Sequence, residues 1–153
     1  TKFSMVLYHI NLGWPLLDAT SHLVGPGRTG ERPEPRNDVA RDGLESWDRF
    51  AAPTPGFEEQ VFYHRPVGGT DSMAEARLEN PALGLAFSVR FYPEELPEFV
   101  QWTMTGEGTY VLGLEPATCR VEGSATEEAA GRVVLLEPGE IRLHRLEIEV
   151  SRS

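Results

Sequence analysis

The sequence is poor in cysteine and in basic residues. Its 153 residues include one cysteine, Cys119, so the chain has no internal disulfide and no zinc site built from several thiolates. We expect Cys119 to be a packing or surface residue, and a lone thiol is compatible with a cytoplasmic location. Lysine and arginine number 14 against 24 acidic residues, a formal net charge of −10. Because phosphate binding requires clustered cations, this charge argues against a nucleic-acid partner.

Long apolar runs are also missing. No run approaches the roughly 20 residues that cross a bilayer, and no basic-then-apolar signal segment opens the sequence, so we expect no membrane partner. A hydrophobic strand candidate begins almost at once, at residues 3–11, as in a chain that starts inside a larger fold. We therefore expect residues 1–153 to form a single β-sandwich domain or the C-terminal portion of a larger one.

Short segments of alternating or β-rich character recur along the chain, and helical periodicity is nearly absent, which predicts an all-β fold. The predicted strands are residues 3–11, 59–64, 72–78, 84–92, 99–104, 109–114, 132–136 and 141–150. Proline and glycine at residues 80–84 predict an antiparallel hairpin connection.

Three other segments are predicted to lie outside the sheets. Residues 24–35 are rich in glycine and proline and predict a long surface loop, because proline cannot donate to a strand ladder. Residues 39–50 predict one or two helical turns with Asp38 as the N-cap. Residues 127–131 predict an acidic, solvent-facing connection.

Two residues stand out as candidates for proton transfer. His9 shares one face of the first predicted strand with Asn11, and an imidazole in a cleft is a useful general acid, whereas a lone histidine is more often a hydrogen-bonded core residue. Glu115 ends an otherwise apolar strand, where partial burial would raise its pKa and suit it to act as a base. The alternative for Glu115 is a surface ion pair with Arg120 or Arg142.

Polar and aromatic residues that suit a sugar lie in two further segments. Glu59, Gln60 and His64 are candidates to hydrogen-bond sugar hydroxyls, and they stand beside aromatic residues that can stack on a sugar ring. Trp102 either stacks on a sugar or fills the sandwich, and the sequence leaves both open. Together these residues predict a carbohydrate site with one acid and one base.

Taken in order, these segments resemble the C-terminal half of a bacterial aldose 1-epimerase-like family within the galactose mutarotase superfamily. The resemblance covers nearly the whole chain and rests on the runs YHINLGWP (8–15), EQVFYH (59–64), QW (101–102), GLEPAT (113–118) and LEPGE (136–140). It implies an antiparallel β-sandwich that binds a sugar on one sheet without metal or cofactor. In that superfamily a histidine protonates the sugar ring oxygen and a late-strand glutamate deprotonates the anomeric hydroxyl.

Carried over residue by residue, the resemblance makes Glu115 the base. It matches Asn11-Leu12 to the Asn-Leu of the superfamily's histidine motif, which makes Asn11 a candidate sugar-binding residue. The superfamily histidine would fall at Leu7, two residues before His9. Because a shift of two residues keeps a side chain on the same strand face, His9 is expected either to be the acid or to bind a hydroxyl.

The superfamily's remaining sugar-binding arginine and histidine belong to its N-terminal half. The resemblance therefore implies association either with such a half or with a second copy of the chain. Three functions stay open for the chain, with a small-molecule sugar as the partner of the first two: an aldose 1-epimerase, a non-catalytic carbohydrate-binding sandwich, and a structural or oligomerising β domain.

Overall fold

A computed structural model describes residues 2–153, and strands make up most of its regular structure. The strands are β1 (Lys2–Ser4), β2 (Ile10–Gly13), β3 (His22–Val24), β4 (Glu34–Pro35), β5 (Gln60–His64), β6 (Ala74–Asn80), β7 (Leu85–Phe91), β8 (Glu98–Gly106), β9 (Thr109–Ala117), β10 (Val134–Leu136) and β11 (Leu146–Arg152). Two short helices, α1 (Asp38–Asp42) and α2 (Ser124–Ala129), and a 3₁₀ turn at Leu44–Ser46 accompany them. The prediction of an all-β fold is confirmed. Within the described residues, no helix has the length and apolar character needed to cross a membrane.

Antiparallel pairing builds two large sheets and one small one. The five-stranded sheet has the order β2-β9-β8-β5-β4, the four-stranded sheet has the order β11-β7-β6-β3, and β1 pairs with β10. The two large sheets share one hydrophobic core, to which Leu112 and Leu114 of β9 and Leu78 of β6 contribute. The rings of Phe91 and Phe99 stack between the sheets with centroids 5.7 Å apart. This is the packing of a β-sandwich.

Strand alternation gives the five-stranded sheet a second face. Because Leu112 and Leu114 of β9 point into the core, Gly113 and Glu115 point the opposite way, to what we call the outer face. A smaller apolar cluster that includes Val100 of β8 lies on this outer face.

Both terminal strand predictions were partly wrong. Residues 3–11 form two elements, because β1 pairs with β10 while β2 pairs with β9 and extends to Gly13. The last strand begins at Leu146 instead of residue 141, and it runs on to Arg152. Ile141 and Leu143 are β-forming residues, yet they are exposed and lie outside the strands. An apolar pattern shows that a segment can form a strand, but not which partner it finds.

The prediction of a loop at residues 24–35 is confirmed except at the two ends of the segment, which belong to β3 and β4. Pro35 is tolerated in β4 because this strand lies at the edge of its sheet. The one or two helical turns predicted within residues 39–50 are confirmed as α1 and the 3₁₀ turn, but Asn37 caps α1 instead of Asp38. The Asn37 side-chain oxygen accepts the Ala40 N–H at 2.9 Å, since Asn37 is the last residue with an extended backbone.

The hairpin between β6 and β7 is confirmed, with Asn80 opposite Leu85. Gly84 has φ +63°, a left-handed conformation that favours glycine.

The acidic connection faces solvent at residues 128–131, as predicted, but not at Glu127. Glu127 lies in α2 and is fully buried, and its carboxylate accepts two hydrogen bonds from Arg132, both at 2.7 Å, and one from the Arg120 backbone N–H at 2.9 Å. The Arg132 guanidinium holds the pKa of Glu127 below its ordinary value. These donors replace the water that an exposed glutamate would bind. Cys119, next to this cluster, is buried.

Candidate functional site

An open cleft of ≈ 180 Å³ lies on the outer face of the five-stranded sheet. Its lining consists of Leu7, His9, Arg36, Glu59, Val61, Val100, Trp102, Glu115 and Val121. Adjacent antiparallel strands bring these side chains together, because Val100 of β8 is paired with Glu115 of β9, and Trp102 of β8 with Val61 of β5. The cleft therefore combines an apolar floor with an imidazole, an indole and two carboxylates.

The carboxyl group of Glu115 is buried beside an imidazole. Glu115 is 3% exposed, and burial raises its pKa to about 7. Nε2 of His9 lies 2.9 Å from Glu115 Oε1. The His9 ring is not aligned to donate, so Oε1 is buried without a hydrogen-bond partner in the described part of the chain. A carboxyl group in this state can exchange its proton near neutral pH.

The alternative role for Glu115, a surface ion pair, is not supported. Arg120 pairs instead with Glu34 at 2.8 Å and with Glu98 at 3.1 Å. Arg142 pairs with Glu140 at 2.8 Å.

Because Gly113 has no side chain, the Glu115 carboxylate can occupy the space next to it. A Cβ atom at position 113 would lie 2.4 Å from Glu115 Oε1 and 3.2 Å from the Cβ of Trp102. Sequence reasoning gave Gly113 no role of its own. The available signal was a glycine inside a strand, which often marks the close approach of another group.

Trp102 is held between two residues of the cleft. Its Nε1–H donates to Oε2 of Glu59 at 2.8 Å, and its ring meets the His9 ring edge to face with centroids 5.5 Å apart. These contacts fix an aromatic surface next to the acid–base pair.

Arg36 is a cleft residue that the sequence did not reveal. Its Nε lies 3.2 Å from Glu122 Oε1, and its guanidinium also donates to the Val121 carbonyl at 3.2 Å. Tyr63 donates its hydroxyl to the same Glu122 carboxylate. The Arg36 backbone N–H donates to the Val61 carbonyl at 3.0 Å, which carries the pairing of β4 one residue further. A two-residue edge strand has no periodicity that could have predicted this position.

Three of the predicted sugar-binding residues do not line the cleft. Asn11 is exposed on β2, outside the cleft lining. Gln60 and His64 lie on the core side of β5, as alternation dictates. His64 is buried, with Nε2 2.8 Å from Gln101 Oε1. The Gln60 side chain packs against Gly43, where an added Cβ would lie 2.3 Å from its Oε1. His9, Glu59, Trp102 and Glu115 are thus the predicted residues that the fold brings together.

Among residues 2–153, no group of three or more His, Cys, Asp or Glu side chains is arranged to hold a metal ion. Several of the groups that line the cleft can exchange protons. A buried carboxyl group, an imidazole in contact with it, and an indole at the side are groups that can bind a sugar and move its protons.

Comparison with known proteins gives a family and a fold. The model of the family described as "Domain of unknown function (DUF4432)" matches residues 1–150. A crystal structure described as that of a "putative aldose 1-epimerase" from Klebsiella pneumoniae is similar to this chain, with a TM-score of 0.89 and 29% sequence identity. The match covers 97% of this chain and 38% of that chain, so this chain spans well under half of its length. No curated protein matches the chain. The similarity supports a galactose mutarotase-like sandwich.

Proposed function

The chain belongs to the DUF4432 family, and we propose that it acts as an aldose 1-epimerase, which interconverts the α and β anomers of a sugar. One observation carries the proposal: in an open cleft, Glu115 is buried with a pKa raised to about 7, and the Nε2 of His9 lies 2.9 Å from it. The name given to the Klebsiella pneumoniae protein points the same way.

The proposed reaction uses Glu115 as the base and His9 as the acid. The Glu115 carboxylate takes the proton of the anomeric hydroxyl, and the His9 imidazolium gives a proton to the ring oxygen as the bond between that oxygen and C1 breaks. The open-chain aldehyde rotates about the C1–C2 bond, and ring closure from the other face returns both protons. Two side chains account for every proton, so the reaction as written uses no cofactor.

The surroundings of these two residues suit a sugar. Oε1 of Glu115 has no hydrogen-bond partner among the described residues, so a hydroxyl can donate to it. The side chain of His9 is 44% exposed, which leaves its ring room to turn and admit a ligand. In this proposal Trp102 stacks on the sugar, Glu59 and Arg36 bind its hydroxyls, and Asn11 lies beyond the cleft lining.

The test is exchange NMR of the α and β anomers of a panel of aldoses at about pH 7, near the raised pKa of Glu115. We expect the chain to accelerate interconversion and Glu115→Gln to lower the rate by roughly 10²–10⁴-fold. Glu107→Gln, at an exposed position outside the cleft, is the matched control. Full activity in Glu115→Gln would refute the assignment of the base.

The second candidate is a non-catalytic carbohydrate-binding sandwich. The share of the solved protein that this chain matches, 38%, favours it, because sugar-binding groups of a larger fold would then lie elsewhere. Sugar-dependent thermal stabilisation with no acceleration above buffer would support this function over the first. Both proposals place the chain in the cytoplasm, because a buried free cysteine suits a reducing compartment.

A further inference from the structure

A larger cavity, of ≈ 250 Å³, lies on the core side of the five-stranded sheet. We call it the second cavity. The connection after β3 forms one wall, and Trp47, Asp48, His64 and Arg65 form the other. It shares no lining residue with the cleft around Glu115. Any ligand here would therefore bind independently of the proposed epimerase chemistry.

A chain of hydrogen bonds fixes the protonation of His64. The side-chain amide of Gln101, which is fully buried, donates to the Trp47 carbonyl at 2.8 Å and to the Thr103 hydroxyl oxygen at 3.2 Å. A carbonyl can only accept, so the nitrogen of the amide lies on that side and its Oε1 faces His64. Oε1 must accept from Nε2 of His64, 2.8 Å away. The proton of the neutral ring is therefore on Nε2, and Nδ1 carries a lone pair.

The His64 ring forms part of the wall of the second cavity, with Nδ1 next to Gly25, which lines the same cavity. His64 is 6% exposed, and burial lowers its pKa to about 4, so the ring is neutral at pH 7. Within residues 2–153, the hydrogen bond to Gln101 is the one that the ring makes, and it uses Nε2. A Cβ atom on Gly25, which lines the cavity, would lie 3.0 Å from Nδ1 and 3.2 Å from the Trp47 ring. Nδ1 thus belongs to a nearly buried ring in the cavity wall and lies close to Gly25.

The lining defines the chemistry of a ligand. A molecule whose oxygens can only accept hydrogen bonds would be repelled by the Nδ1 lone pair, whereas a hydroxyl group can donate a hydrogen bond to Nδ1. Arg28 and Arg65 supply donors to other oxygens, and Trp47 supplies an aromatic surface for C–H groups. We propose that the second cavity binds a small polyhydroxylated molecule, of monosaccharide or alditol size, which donates a hydroxyl to Nδ1 of His64.

The test follows the ¹⁵N signal of His64 Nδ1 during titration of the labelled chain with D-glucitol and with D-glucose. D-Glucitol has no anomeric carbon and cannot react in the cleft. We expect a saturable shift of the Nδ1 signal, equal in the wild type and in Glu115→Gln. Gly25→Ala, which puts a methyl group against Nδ1 at a position without positive φ, should weaken binding by roughly tenfold or more.

Gly69→Ala is the matched control, because an added Cβ there meets no atom closer than 3.6 Å and lies outside the cavity. It should bind as the wild type does. The proposal is overturned if neither probe gives a saturable shift, or if Gly25→Ala binds as tightly as Gly69→Ala. It is also overturned if Glu115→Gln abolishes the shift, since the probe would then occupy the cleft.

Discussion

At the scale of single residues, Glu115 lies in a buried environment that disfavours its ionised form. Desolvation raises its pKa, and no aligned donor compensates Oε1 in the described chain. The same feature that suits the carboxyl group to proton transfer near neutral pH should therefore reduce the stability of the fold when the group ionises.

Glu115→Gln is expected to stabilise the chain at alkaline pH. The unfolded carboxyl loses its proton near 4.5, while the folded one keeps it up to about 7. Between these values the folded state binds more protons, so the stability of the wild type falls as pH rises. Urea unfolding should give equal free energies at about pH 4 and an excess for the variant on the order of 2 kcal/mol at about pH 8. A difference that does not change with pH would contradict the assigned pKa.

Gly113→Ala is expected to impair activity without disrupting the sheet. The added Cβ would lie 2.4 Å from Glu115 Oε1, so the carboxylate has to move. A displacement of about 1 Å in a reacting group can lower a rate on the order of 10²-fold, and anomer exchange by NMR would measure it.

Gly106→Ala is the control for this variant. It also lies in a strand of the five-stranded sheet, but an added Cβ meets atoms no closer than 3.5 Å. We expect the two variants to unfold at similar temperatures, and Gly113→Ala to have the lower rate of anomer exchange. Equal rates would mean that Gly113 does not position the base.

The sequence predicted part of this site because strand alternation and local chemistry are visible in it. Trp102 and Glu115 lie in strands, His9 and Glu59 directly precede strands, and the fold brings all four together. His64 was grouped with them because it belongs to the same segment as Glu59. Five residues apart, the two side chains lie on opposite faces, and the sequence does not say which face carries the cleft.

At the scale of elements, the long strands were predictable, whereas the short strands β3 and β4 were not. Residues 84–92 were predicted and Leu85–Phe91 is observed, because seven residues are enough to show an alternating pattern. The strands β3 and β4 have three and two residues, too few for any period. Their positions depend on the neighbours they pair with, β6 and β5, which are distant in sequence.

The buried ion pair of α2 gives an element-scale prediction. Arg132→Ala removes two of the three donors to the fully buried Glu127 carboxylate, so we expect a loss of about 2–3 kcal/mol in the free energy of unfolding by urea. In the double variant, Glu127→Gln should restore part of the free energy of unfolding that Arg132→Ala loses. Arg142→Ala, which breaks an exposed pair, should cost less than about 0.5 kcal/mol. Equal losses in the two arginine variants would contradict a structural role for Glu127.

At the scale of the whole molecule, the four-stranded sheet ends in an apolar edge. The edge strand β11 places Ile148 opposite Val89 and Val150 opposite Phe87, so these two side chains share the core-facing side of the sheet. They are nevertheless 60% and 67% exposed. The core-facing side of this sheet therefore extends beyond the area that the other elements cover among the described residues.

We predict that the chain forms dimers through β11. Its outer edge is unpaired in the described structure, and antiparallel pairing of two copies would satisfy that edge while covering Ile148 and Val150. Sedimentation velocity should show a concentration-dependent dimer that Ile148→Thr with Val150→Thr weakens, because threonine keeps the strand preference and reduces the apolar area. Val67→Thr, an exposed apolar position outside the strands, should leave the dimer unchanged. A monomer at every concentration would refute self-association and favour an N-terminal half of a larger sandwich as the partner of this surface.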